Sequence, residues 1–219
     1  MSIVIKAPSG GGSISLDTQQ SVTGDHTLQL PTGVGSANQY LRNSSTAGTL
    51  EFSNLTGALV LTRATAVDST SGTAIDFTNI PANVYRITVM FEGVSTNGSN
   101  ILAFRIGDSG GIETTGYHGG AGNSTAANTY AFLTDGFPLS FNNGSAASYA
   151  HHGSVVLTNM TGNTWAVQGC TYTQTYGVGA FIAGVKTLSG TLDRVQVYTN
   201  GGTDTFDAGK INIIYEVQS

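Results

Sequence analysis

The sharpest group of chemistry-bearing residues is Gly107-Asp-Ser-Gly-Gly111. A serine set among glycines and an aspartate is the pattern in which backbone amides form an oxyanion hole beside a nucleophile. The partners of such a serine are missing. The one histidine before Ser109 is His26, in a polar Gly24-Asp-His-Thr27 setting, and Ile112 stands where serine proteases usually carry a proline. The string reads as a polar turn after a strand ending at Ile106, because Asp and Gly are turn formers. His151-His152, with His118, offers imidazole for a metal, but adjacent strand residues point to opposite faces and cannot easily share one ion. Asp108, Glu113 and Asp135 offer carboxylates. A glycosidase needs two of them about 5–9 Å apart, which chain spacing does not set. With thirteen acids in 219 residues, these three read as a chance grouping. No catalytic residue, metal or cofactor is expected, and the chain is not expected to be an enzyme.

Aromatic residues carry more. Tyr117, Tyr130, Tyr149, Tyr172 and Tyr176 lie in or beside stretches rich in Gly, Asn and Ser. Tyr stacks on sugar faces and serves recognition loops on rigid scaffolds. Tyr117, His118, Tyr130, Tyr149 and Tyr176 are the candidate receptor- or glycan-binding residues. The competing reading is that most of these tyrosines pack in a partly buried layer.

The composition limits what can hold such residues. Gly, Thr, Ser and Asn supply 96 of the 219 residues, and only 10% are charged, against about 25% in ordinary domains. Helix formers are scarce and scattered. Net charge is −5 with no basic cluster, which argues against nucleic acid and anionic membranes as partners. No apolar run approaches the length of a membrane span. The N-terminus, with one Lys and a three-residue apolar stretch, does not read as a signal peptide. Cys170 is the only cysteine. It reads as a small strand side chain in a protein made in a reducing cytoplasm.

Two textures follow along the chain. Residues 1–64 hold short period-two fragments, such as Ile3-Val-Ile5, Ile14-Ser-Leu16, Thr49-Leu-Glu-Phe52 and Leu59-Val-Leu61. They are too short for a deep core and would be poorly stable alone. Residues 65–219 carry longer strands. In 84–92, Tyr85, Ile87, Val89 and Phe91 are expected on one face. Leu102, Phe104 and Ile106 face one way and Arg105 the other. Further strands are expected at 129–133, 138–141, 154–158, 164–172, 179–186, 192–198 and 210–217. Turns at Asn97-Gly98, Asn143-Gly144 and Asn200-Gly-Gly202 separate strands. The stretch 107–128 is expected to be one large surface loop. The fold class is all-β: N-terminal short β-modules followed by an antiparallel, jelly-roll-like β-sandwich.

The string Ser71-Gly-Thr-Ala-Ile-Asp-Phe-Thr-Asn-Ile-Pro81, with Val84-Tyr-Arg-Ile-Thr-Val-Met-Phe91, resembles a domain that recurs in tailed-bacteriophage fibre and other virion proteins. Ile106-Gly-Asp-Ser-Gly-Gly-Ile-Glu-Thr-Thr-Gly-Tyr117 and Phe206-Asp-Ala-Gly-Lys-Ile-Asn-Ile-Ile-Tyr-Glu216 belong to the same pattern. The N-terminal fragments resemble the short β-modules of phage appendages. The resemblance covers most of the chain, is structural rather than catalytic, and implies a homotrimeric virion protein made in the bacterial cytoplasm. In it, residues 1–64 dock on other virion proteins and residues 65–219 form a host-facing head that meets a surface glycan. Tail fibre, head fibre and capsid-decorating protein remain alternatives, as does a carbohydrate-binding or depolymerising module.

Overall fold

The computed structural model describes residues 3–6, 13–16, 28–37, 39–54, 57, 59–123, 129–142 and 144–218. They form strands, turns and bends, with no helix and so no helix able to cross a membrane. The chain divides into two compact units, Met1–Thr56 and Gly57–Ser219.

Among the described residues, the first unit contains two antiparallel pairs. Strands β1 (Ile3–Lys6) and β2 (Ser13–Leu16) pair with each other. Strands β3 (Gln39–Asn43) and β4 (Leu50–Asn54) form a second hairpin, crossed by an exposed Arg42–Glu51 ion pair at 2.7 Å. None of the described residues from 28 to 57 is buried. Leu30, Tyr40, Leu41 and Phe52 all remain exposed.

Among its described residues the second unit builds fourteen strands: β5 (Leu59–Arg63), β6 (Val67–Asp68), β7 (Ala74–Phe77), β8 (Val84–Thr96), β9 (Leu102–Asp108), β10 (Gly111–Ile112), β11 (Tyr117–Asn123), β12 (Tyr130–Phe132), β13 (Phe137–Pro138), β14 (His151–Thr161), β15 (Thr164–Thr173), β16 (Val178–Thr187), β17 (Leu192–Thr199) and β18 (Phe206–Gln218). They make two antiparallel sheets. The larger runs β12-β11-β16-β15-β14-β8-β18-β5, with β6 beside β18. The smaller runs β10-β9-β17-β7, with β13 on β9. Leu59–Arg63 therefore belongs with the second unit, paired to the last strand, although its texture in sequence matches the first.

Both sheets feed one apolar core. Ile87, Val89, Val155, Leu157, Ile211 and Ile213 come from the larger sheet, and Phe104, Ile106, Val195 and Val197 from the smaller. Period-two alternation explains these placements, since every second side chain of a strand faces inward. The exception in β8 is instructive. Ile87, Val89 and Phe91 are buried as the alternation requires, but Tyr85 is 46% exposed. The pairing with β18 slips between Glu216 and Val217, so Val84 turns inward in its place.

The expected loop at 107–128 is replaced by structure over most of its length. Residues Gly107–Ile112 form a tight β9–β10 hairpin, and Tyr117–Asn123 is a seven-residue strand. Residues 124–128 lie outside the described residues. Strand β11 shows no alternation in sequence because Gly119, Gly120 and Gly122 have no side chains to alternate. Their role is tertiary. A Cβ on Gly119 would lie 2.9 Å from the Phe137 ring, and one on Gly184, its partner across the ladder, 2.6 Å. The two glycines make room for Phe137, which enters from the smaller sheet and meets Tyr117 edge-on at 5.0 Å.

Candidate functional site

The serine string resolves into the β9–β10 turn. Gly110 N–H donates to Asp108 Oδ1 at 2.8 Å, a local turn bond of the kind Asp makes. Gly107 is required by crowding, because a Cβ there would meet the Gly111 carbonyl at 2.1 Å. Ser109 is exposed at the tip. His26 lies outside the described residues.

Two of the three acids do meet. Ser189 Oγ sits 2.8 Å from both Asp108 Oδ2 and Glu113 Oε1, and its backbone N–H also reaches Glu113. Lys186, almost fully buried, donates to Glu113 and to the Thr187 carbonyl. Burial pushes the Glu113 carboxyl up, but hydrogen bonds from Lys186 and Ser189 outweigh it and hold it below its ordinary value. Hydrogen bonds from Ser189 and Gly110 hold Asp108 low as well. Both groups are thus kept ionised, whereas a glycosidase pair needs one carboxyl kept protonated to serve as acid. What the cluster does is clamp the 189–190 turn against the β9–β10 hairpin.

The histidines separate as strand geometry demands. His151 is buried, 3.4 Å from Thr173 Oγ1, and burial with the neighbouring His152 lowers its pKa to about 4. His152 faces outward. Its Nδ1 accepts the Gly93 N–H at 3.2 Å, and its Nε2 meets Gln174 Oε1 at 3.0 Å. Gly93 and Gly209 adopt positive φ where β8 and β18 slip register, so His152 satisfies an amide at a bulge. Among the described residues, no three His, Cys, Asp or Glu side chains converge as a metal site. Cys170 is an exposed strand residue of β15.

The five candidate recognition residues divide. Tyr117 is corrected: it is 2% exposed, a core residue whose hydroxyl bonds Ile106 and Glu113 backbone at 2.9 Å. Burial raises its pKa, and it presents no surface to a ligand. His118 and Tyr130 come together at the free edge of the larger sheet. With Phe132 they line an apolar trough of about 410 Å³ floored by Gly119 and Gly120. Tyr149 and Tyr176 form a separate group, ring centroids 5.3 Å apart, with Phe141 beside Tyr176. Tyr176 follows Thr175, which is held at φ 75°, an unusual conformation for a β-branched residue.

Sequence reading missed Phe132 and Phe181, both about 60% exposed. Their outward phase follows from the buried Ala131 and Ile182 beside them. It also missed a polar hollow on the outer face of the smaller sheet. There Arg105 Nε donates to Gln196 Oε1 at 2.6 Å, and Gln196 Nε2 donates to Asp76 Oδ1 at 2.7 Å, a row of bonds across β9, β17 and β7. Arg105 also lies 4.1 Å over the Tyr198 ring. Nothing local in the sequence announces this row, because its members are brought together only by register.

Comparison with protein-family models, with curated proteins and with solved structures gives no match to this chain in any of the three.

Proposed function

We propose that this chain is a non-enzymatic structural subunit of a bacteriophage virion, a homotrimeric fibre-type appendage. In this reading the first unit docks on the particle, and the second, a jelly-roll-like β-sandwich, is a head that faces the host. One observation carries it: the described residues 28–54 of the first unit include strand-forming apolar side chains and bury none of them. A hairpin with uncovered Leu41 and Phe52 needs a neighbour, since two-stranded pairs are marginal alone and apolar patches mark interaction surfaces. Leu59, Val60 and Leu61 on the edge strand β5 are also exposed, and an uncovered apolar edge invites pairing with another chain. The virion assignment itself rests on the resemblance at 71–91, 106–117 and 206–216.

Particle reconstruction with labelled protein tests the reading. Density at a tail or portal-proximal vertex supports it, while uniform coverage of the capsid makes the chain a cement protein. Absence from particles overturns it. Light scattering should give three times the 22.5 kDa chain mass, and a stable monomer at micromolar concentration defeats the trimer. Removing residues 1–56, which leaves β5 in place, should yield a folded head that no longer joins particles.

A further inference from the structure

The polar hollow on the smaller sheet has hydrogen-bonding capacity that the protein does not spend. It has a volume of about 250 Å³ and is walled by Arg105, Asp135 and Tyr198 with Thr73 and the Gly201-Gly202 turn. Arg105 uses Nε on Gln196. Its two terminal amino groups hold no hydrogen bond or ion pair with another described residue. The Tyr198 hydroxyl is buried, in a residue only 4% exposed, and has no partner in hydrogen-bond geometry. Asp135 and Asn200 lie within reach of it without reaching good bond angles, and burial, followed by Asp135, raises its pKa. Buried polar groups without partners are rare in folded proteins and point to an absent one.

We propose that this hollow binds a neutral pyranose. The ligand class follows from charge and shape. One guanidinium faces one carboxylate, so the site has no net positive charge to select phosphate or carboxylate, and Asp76 stands one strand beyond. A guanidinium that donates and a carboxylate that accepts suit neighbouring sugar hydroxyls, which do both. Arg105 is held by Gln196 on one side and the Tyr198 ring on the other. Little side-chain freedom is therefore lost when a ligand arrives. The positive φ values of Gly201 and Gly202 form the open rim, and the size matches one sugar ring. The proposal gives the glycan partner of the head a location different from the tyrosines first suspected.

Saturation-transfer NMR on the full chain tests it. The probes are methyl β-glucoside, methyl β-galactoside, methyl α-mannoside and N-acetylglucosamine, with glucuronate as the anionic counterpart. At least one neutral glycoside should bind in the millimolar range. Asp135→Asn, which keeps the shape, and Arg105→Lys, which keeps the charge but loses the fork, should each weaken it about tenfold. Ala74→Phe should fill the hollow and abolish binding, with the melting temperature of Asp135→Asn as the folding check. Binding by no neutral glycoside overturns the proposal. So does binding that Asp135→Asn and Ala74→Phe leave unchanged, or tighter binding of glucuronate. Particle location is scored separately. A chain that enters virions yet binds no glycoside overturns the pocket alone, and one that binds through Asp135 but never enters virions overturns the virion reading alone.

Discussion

The two units of this chain draw on the same kinds of residue and reach opposite ends. Both carry short apolar strands with period-two alternation and glycine turns. In the second unit, Phe137, Phe104, Ile87 and Leu157 are entirely or almost entirely buried. In the first, no described residue from 28 to 57 is. The difference lies in layering. A strand pair has two faces and can shield neither by itself, whereas two sheets laid on one another convert every inward residue into core. Alternation makes a strand possible; a second layer makes it stable.

Equivalent substitutions in the two units should therefore separate widely. Phe137→Ala removes a ring that fills the space over Gly119 and Gly184 and joins the two sheets. It should cost about 3–5 kcal/mol in denaturant unfolding. Phe52→Ala, the same change in the first unit, should stay within about 0.5 kcal/mol for the isolated chain. If the two costs come out similar, the contrast between the units is wrong.

Glu113→Gln should come next in size within the second unit. It leaves the ammonium of Lys186 buried without its carboxylate, at a cost of about 2–4 kcal/mol. Replacing both residues, with Lys186→Met added, should recover much of that loss. A single variant as stable as the parent would show that the clamp contributes nothing.

His151 makes stability of the second unit dependent on pH. Its folded pKa of about 4 lies below the ordinary 6.5, so between these values the unfolded chain takes up a proton that the folded chain refuses. Stability is present in full above 6.5 and falls as pH drops toward 4, by on the order of 3 kcal/mol. His151→Gln should flatten that window in a stability–pH profile. The more acidic losses from Asp108 and Glu113, whose folded pKa values are depressed, should remain.

Within the second unit, the smallest effect is expected at Thr175. Asparagine tolerates a left-handed backbone better than a β-branched residue does, so Thr175→Asn should raise the stability of the second unit by up to about 1 kcal/mol. No gain on thermal melting would mean that the turn carries no strain.

The legible part of the fold is where side chains alternate. Strands β8, β9 and β14–β18 stand out because Val, Ile and Phe recur at every second position, and inward residues such as Phe104, Ile106, Ile211 and Ile213 followed. Strand β11 was hidden because glycine has no phase, and the reason for its glycines is a phenylalanine on another sheet. Tyr85 and Val84 exchanged roles through a register slip with β18 that no local pattern records. The candidate site was legible only in its chemistry. Tyr130 and His118 do line one trough, but Tyr117 is spent inside the core, and Arg105, Asp135 and Tyr198 lie 30 to 93 positions apart in the chain.

Composition and alternation alone determined that this is a sheet protein with little charge, turning on Gly and Asn, because those are properties of single residues and their nearest neighbours. Tertiary structure decided which strands share a layer, which tyrosines face water and which carboxylates meet. Those outcomes depend on register between distant segments, and register is settled by the best packing of the whole core rather than by any one stretch of it.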